Sequence, residues 1–557
     1  MKVAIIGSGP TGASVASALL ERGAAVDVFD MGYAPEANAT ELATRIRTNG
    51  LDANALRQLN QGKGVGTMSR LETLKLLLTR RAKGGLVNKK RLGSDYTFRN
   101  VGQAIPLDGN QAIPRSLAKG GLSNVWGSAC YPLRPEDYAR WPIAETDMRR
   151  NYEAVARQLE LEESVDDLSA VYPVYSTPRD DLQPISASAR VLQTHWRKHS
   201  AELRRLGVHH GRARCAVRFH GDTSALGATE ADHERGRVGC QRCGLCMSGC
   251  PWDAIYRSTR TWSRLSGHGG LRQHVGHLVS RIEEDAAGAH VISHERNGPY
   301  DAVFLAAGPM SSLRIAVESL RAYDHRAPVL DNDMYIVPSL GIGAAVDDPT
   351  NGSFALSELA LSIAGSAVGG HSMHVQVYSA GEQLGAQMRA RYHRALATLA
   401  ALPISAIEHL LTAFVYTHSD DSMQAEASIR PRDGQVSLIH VDVFETPQSQ
   451  VLKRRALRLM RLNPLAFGMV PLTAISTPFG FSGHACGTLP MRHHPRLLET
   501  HANGRIEGTH AIFAADAATF PVLPSQNLTY TAMANAFRIG TEYAAAMAPP
   551  LRLQTVA

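Results

Sequence analysis

The sequence predicts an α/β protein in which a parallel-sheet domain is interrupted by an inserted α+β domain. Two observations carry this. The chain opens with an apolar run, Val3–Ile6, that enters a glycine-rich turn, a helical pattern and a second strand, Ala25–Phe29. A second buried-strand pattern, Tyr300–Leu305, ends in the small residues Ala306, Ala307 and Gly308. Strand–helix–strand order at the start of a chain is the signature of a parallel sheet with a crossover helix.

The turn reads Gly7-Ser8-Gly9-Pro10-Thr11-Gly12, a G-x-G-x-x-G pattern in its proper setting. Gly7 allows the tight turn, Gly9 lets a pyrophosphate approach the backbone, and Gly12 lets the helix pack closely on the strand. The helix N-terminus then faces the phosphates. Asp30, 18 residues after Gly12, closes the second strand where an acid binds a ribose hydroxyl. This is a Rossmann-like dinucleotide site. Its place at the start of a 557-residue chain favours FAD. Ala307 and Gly308 are where flavoproteins of this architecture often return to the nucleotide; an ordinary sheet strand is the equal alternative.

Composition excludes other classes. At 44% apolar and 20% charged, the chain is globular and neither disordered nor collagen-like. The net charge of +7 is spread along the chain without an accompanying basic-aromatic pattern, so nucleic acid is not an expected partner. The apolar stretches Ala395–Tyr416 and Leu465–Gly483 are interrupted by Pro403, Glu408 and His409, and by Pro471 and Pro478, so no integral membrane segment is expected. The immediate entry into a strand argues against a signal peptide and for a cytoplasmic location.

Four segments resemble the glucose-methanol-choline (GMC) oxidoreductase family. They are the N-terminal fingerprint, Ala118–Gly127, Leu305–Gly308, and a C-terminal block running from Gly483 through Met491, Ile512–Pro521 and Asn527–Met533. The resemblance implies a GMC-like fold. Its FAD-binding domain would be discontinuous (1–130, 230–330 and 480–557), and its substrate domain would be built from 131–229 and 331–479. It also implies hydride transfer from an alcohol to flavin N5. His484 and Asn527, 43 residues apart, match the pair over the flavin ring. A neutral imidazole can take the hydroxyl proton as the hydride leaves. An amide can hold the substrate oxygen without competing for that proton. Gly120, Gly121, Ser123 and Asn124 match the loop along the flavin. Asp516 and the adjacent Ala517 match the segment near its ribityl chain and pyrophosphate. Val279, read in a strand Leu278–Ile282, matches a backbone contact to adenine. The short Gly-Gly-Leu-Ser-Asn-Val-Trp form is similar to the pyranose-oxidase-like branch, which points to a sugar, polyol or glycosylated small molecule as substrate. Val125 stands where some members of that branch carry a flavin-linked His, so non-covalent FAD is expected. Arg492 follows Met491 where Gly is common.

Seven cysteines are present, and four lie in Cys240-x2-Cys243-x2-Cys246-x3-Cys250-Pro251. This is the bacterial ferredoxin spacing. It favours an iron–sulfur cluster (4Fe–4S or, alternatively, 3Fe–4S) over zinc, whose sites separate two pairs by a longer loop. With a single run, the last ligand is either Cys250 or a remote thiolate, Cys215 or Cys130. An unliganded or disulfide state stays open. A cluster would take electrons from reduced flavin one at a time and favour a dehydrogenase with a partner protein or quinone as acceptor. An oxygen-using oxidase without a cluster and a non-catalytic electron-transfer subunit are the rivals.

The periodicity predicts helices over Thr146–Leu161 and Ser186–Leu206, and two over Leu384–Tyr416 broken at Pro403. The basic run Lys453–Arg461 is read as solvated surface, with an electrostatic dock as the alternative. The pairs His209–His210 and His493–His494 are read as surface positions.

Overall fold

The computed structural model describes residues 1–52, 54–55, 58–59, 90–109, 112–179, 185–219, 239–343, 354–379 and 409–548. Its centre is a five-stranded sheet in the order Ile512–Ala514, Ala302–Leu305, Lys2–Ile6, Ala25–Asp30, Leu271–Val275, parallel throughout. Lys2–Ile6 is the middle strand, and the chain leaves it toward one neighbour and returns on the other side. That reversal opens a crevice at its carboxyl end, the place where such sheets bind ligands. The strand is buried on both faces, which explains its unbroken apolar run.

Helix Pro10–Leu20 packs between this sheet and the last helix, Thr529–Met547. Gly540 permits the close crossing, since a Cβ there would lie 3.1 Å from Ala18 and Val15. The last helix also meets helix Glu145–Leu159, where the Tyr530 hydroxyl donates to the Tyr152 carbonyl at 2.9 Å. The last helix is therefore braced at its start by helix Glu145–Leu159 and farther along by helix Pro10–Leu20.

A seven-stranded antiparallel sheet stands apart in sequence. Its order is Met469–Pro471, Met334–Gly341, Leu410–Tyr416, Met373–Ser379, Leu359–Ile363, Val208–Arg212, with Ile475–Ser476 added beside Met334–Gly341. Period-two alternation gives it two distinct faces. Met373, Val375 and Val377, with Leu411, Ala413 and Val415, pack into a core shared with helices Ala187–Lys198 and Pro447–Leu462. His374, Gln376 and Tyr378, with Tyr416, project from the opposite face.

Several sequence expectations change here. Ser186–Leu206 is two helices, Ala187–Lys198 and Ser200–Arg205, meeting at His199. Leu410–Tyr416 is a strand: its alternating pattern is satisfied by a sheet with one apolar face, and the rest of the segment, 384–408, lies outside the described residues. Val279 precedes its strand, which spans Arg281–Asp285. His210 is buried against Trp196, while His493 and His494 are exposed as expected. The helix read at Thr146–Leu161 is present as Glu145–Leu159. No helix among the described residues is long and apolar enough to cross a membrane.

Candidate active site

The fingerprint turn forms as its glycines require. Gly7 has φ +105°, and a Cβ there would sit 2.5 Å from the Ala306 carbonyl oxygen. A Cβ on Gly12 would sit 2.1 Å from the Gly7 oxygen. Gly9 differs: an added Cβ meets nothing within 4 Å, so open space lies beside its backbone at the crevice. Asp30 accepts from the Ser8 N–H at 2.7 Å and the Gly32 N–H at 2.5 Å, and burial pushes its carboxyl up to about 6. A half-buried acid of this kind, at the carboxyl end of its strand, suits a hydroxyl donor such as a ribose. These features fit a dinucleotide.

The Gly120–Asn124 loop lies directly on this turn. Gly120 N donates to Ser8 Oγ at 2.9 Å, and a Cβ on Gly121 would approach Gly9 Cα at 3.4 Å. Ser123 and Asn124 hold the loop's own shape. Ser123 Oγ donates to the Gly120 carbonyl at 2.5 Å, and Asn124 Nδ2 donates to the Lys119 and Gly121 carbonyls. Across the crevice Asp516 accepts from the N–H groups of Gly308 and Ala518 and from Ser312 Oγ. It ties the Ala307–Gly308 return to the C-terminal block at Ala517. Its carboxyl is buried, which raises it to about 6. Val279 contributes core packing, and its carbonyl accepts from Arg314 at 2.7 Å.

The antiparallel sheet's polar face meets the C-terminal block at His484 and Asn527. Asn527 precedes the braced last helix, and its Nδ2 donates to His484 Nε2 at 3.1 Å. His484 Nδ1 lies 2.9 Å from Asn332 Oδ1. Asn332 Nδ2 is held 2.6 Å from the Thr417 carbonyl and 2.9 Å from the Pro524 carbonyl. Two carbonyls can be satisfied only by an amide N–H2, so they decide which end of Asn332 is oxygen. That oxygen decides the imidazole tautomer: Nδ1 carries the proton and Nε2 is the base.

The chain of bonds continues on the other side. Gln376 Nε2 donates to Asn527 Oδ1, and the Tyr378 hydroxyl donates to Gln376 Oε1 at 2.8 Å. Every amide from Tyr378 to Asn332 is thereby oriented in one direction. His484 is buried with the Tyr416 ring tilted over it at 5.4 Å, and burial pulls its pKa down to about 4. Below it, Ser482 Oγ donates to Asp331 at 2.5 Å and accepts from His484 N at 3.0 Å. Asp331 is raised to about 7, by burial first and also by Asp333 nearby. His374, beside Gln376, is pulled down to about 3 by burial and the nearby Arg134, and so stays neutral.

Asn332, Gln376, Tyr378 and Asp331 were not singled out from the sequence. Two features of the sequence could have marked them. Asp331-Asn332-Asp333 is a polar triplet straight after an apolar strand, and all three prove buried. His374, Gln376 and Tyr378 alternate with Met373, Val375 and Val377 at strand period.

The cysteine run folds as a loop against the predicted flavin loop. Ser123–Trp126, Cys246, Gly249, Cys250 and Arg257 line one small cavity. Among the described residues no three cysteine sulfurs lie within 4.8 Å of one another. Four thiolates on one zinc ion would sit about 3.8 Å apart, so the loop is not a preformed zinc cage. Cluster thiolates each bind a different iron and spread wider. The Arg242 and Ala254 N–H groups each point at a sulfur, of Cys240 and Cys250, at 3.4 Å. Burial pushes Cys240 up to about 11 and Cys243 up to about 12, with Cys250 adding to both; a cationic centre would reverse this. Cys215 packs in the same apolar cluster as Cys240, Cys246 and Cys250, whereas Cys130 belongs to another. Arg91 and Arg257 border the cavity and share Asp253 as their ion-pair partner, at 3.6 Å and 2.6 Å. Among the described residues the cysteines form no cluster-like group; what the fold adds to the run is Cys215, packed in the same apolar cluster.

No protein-family model matches the sequence, and no curated protein does. Three solved structures are similar over nearly the whole chain. A pyridoxine 4-oxidase from Mesorbium loti is 14% identical with a TM-score of 0.54, covering 97% of this chain and 99% of its own. An FAD-dependent oxidoreductase from Chaetomium thermophilum is 12% identical with a TM-score of 0.53, covering 98% and 99%. A fungal aryl-alcohol oxidase is 12% identical with a TM-score of 0.52, covering 97% and 99%. The chain therefore has the α/β, GMC-like flavoprotein fold of these oxidoreductases over nearly its full length.

Proposed function

We propose that this protein is an FAD-dependent oxidoreductase that converts an alcohol to a carbonyl, with His484 as the general base and Asn527 as its partner. The observation that carries the reading is the one-way hydrogen-bond chain from Tyr378 to Asn332, which leaves His484 Nε2 as a neutral acceptor. FAD held by Gly7–Gly12, Asp30 and the 120–124 loop would supply the hydride acceptor at its N5. The parallel sheet and its flanking segments are the FAD-binding part, and the antiparallel sheet roofs the substrate site.

In this reading the substrate hydroxyl displaces the Asn527 amide from His484 Nε2 and donates there. As the carbinol hydrogen departs with its electron pair, the hydroxyl proton passes to Nε2. Asn332 Oδ1 holds the Nδ1 proton throughout and accepts the stronger bond of the imidazolium. Asn527 Nδ2, kept facing the site by Gln376, donates to the substrate oxygen. The depressed pKa of His484 keeps it neutral, hence competent, across the physiological range. Amide, hydroxyl and aromatic groups on the roof (Gln376, Tyr378, Tyr416) suit a polyhydroxylated ring, consistent with a sugar, polyol or glycoside as substrate class.

An iron–sulfur cluster on Cys240, Cys243, Cys246 and Cys250 or Cys215 would supply a one-electron outlet beside the flavin loop, favouring a dehydrogenase. A second reading is an oxygen-using oxidase, favoured by the similarity to a pyridoxine 4-oxidase and an aryl-alcohol oxidase. Mixing anaerobic holoenzyme with alcohols and sugars tests the common part, with bleaching of the flavin band as the expected result. Admitting oxygen, or a one-electron acceptor, then separates the two. Fast stoichiometric peroxide marks the oxidase; slow reoxidation by oxygen and fast reoxidation by the acceptor marks the dehydrogenase.

A further inference from the structure

Helix Pro447–Leu462 carries five basic residues and no acidic one. Its buried stripe is Ser449, Leu452, Ala456 and Met460. Arg454, Arg458 and Leu462 follow at four-residue spacing on the opposite side and are exposed. Beyond the helix the chain turns at Asn463 and displays a run of large apolar side chains. Leu462 is 67% and Leu465 66% exposed, with Val470 and Leu472 beyond them and Leu340 as the strand partner of Val470. Single exposed leucines are ordinary. Five large exposed apolar residues, carried by the end of an acid-free basic helix, the short turn of helix after it and the edge strand that follows with its partner, are not. The ledge is rigid. Arg461 donates to the carbonyls of Pro471 and Leu472, and Phe467 and Met469 anchor the same segment in the core.

We infer that this face docks the protein peripherally on an anionic lipid bilayer. Leu462, Leu465 and Leu472 would enter the boundary between headgroups and acyl chains, and Arg454 and Arg458 would meet the lipid phosphates. Basic and apolar side chains side by side, without acids, are what an interfacial surface requires. A second copy of the chain is a poor occupant, because a two-fold contact sets the same patch against itself and brings the arginines of both copies together. The inference is independent of the catalytic reading and is compatible with the absence of a membrane-spanning helix among the described residues.

Co-sedimentation of holoenzyme with vesicles tests it. One set is phosphatidylcholine alone; the other is phosphatidylcholine with phosphatidylglycerol. Binding to the anionic vesicles that is lost at high salt is the expected result. Leu462→Glu/Leu465→Glu and Arg454→Glu/Arg458→Glu should each weaken it by at least about tenfold. Both pairs are exposed, so the flavin spectrum and turnover with a soluble acceptor should stay unchanged. No binding by the wild type, or equal binding by both variants, overturns the inference. So does a concentration-dependent dimer that the same substitutions dissociate, which would assign the face to a second copy.

Discussion

Asn332 accepts the Nδ1 proton of His484 at 2.9 Å while its own amide nitrogen is pinned by two backbone carbonyls. A side chain from the inserted sheet region thus decides which nitrogen of a C-terminal histidine is basic. Asn332→Asp would put a carboxylate oxygen against Nδ1, at the cost of the two carbonyl bonds that the amide nitrogen now makes. With His484 near 4 in the wild type, activity should hold as pH falls and fail only below about 4. An adjacent carboxylate stabilises the imidazolium, so the acid limb of kcat/KM should move up by about two pH units in the variant. A pH–rate profile of the two proteins checks this.

Gln376 orients Asn527 and is a positioning residue. Gln376→Glu removes the donor to Asn527 Oδ1 while keeping the side chain's shape. Turnover should fall about tenfold to a hundredfold, with flavin content unchanged and kcat affected more than KM. A loss confined to KM would place Gln376 on the substrate alone.

The glycines of the fingerprint should separate folding from cofactor binding. A methyl group at Gly12 has no room beside the Gly7 oxygen, so Gly12→Ala should yield little folded protein. At Gly9 the space is open, so Gly9→Val should fold but lose FAD. Circular dichroism with flavin absorbance on the same samples distinguishes the two.

Much of this arrangement was legible in the sequence because it depends on short-range pattern. Gly7 to Asp30 carry their chemistry in spacing alone, and His484 and Asn527 sit in recognisable segments. Asn332 and Gln376 did not stand out. Their role exists only once Leu410–Tyr416, read as helical, pairs between Met334–Gly341 and Met373–Ser379 and turns one polar face toward His484. Such partners are fixed by strand register, which local periodicity does not report. The cysteine run was visible as a run, but the packing of Cys215 against it, with Cys130 in a different cluster, came from the tertiary fold.

For the cysteine loop, protein purified without oxygen should contain iron and acid-labile sulfide in comparable amounts. Cys246→Ser should lose both, and Cys215→Ser should lose or alter the visible shoulder. Cys130→Ser should leave it intact. Metal analysis and absorption spectra read all three, and iron-free wild-type protein would remove the cluster from the proposal.

The most direct test of the central claim is anaerobic stopped-flow reduction of the bound flavin by an alcohol substrate, comparing wild type with His484→Ala. The wild-type flavin band should bleach. The variant should keep its FAD and reduce it about a hundredfold to ten-thousandfold more slowly, the loss expected when a general base is removed. Reduction at the same rate in both proteins, or in neither with any alcohol, would contradict the assignment of His484 as the base for alcohol oxidation.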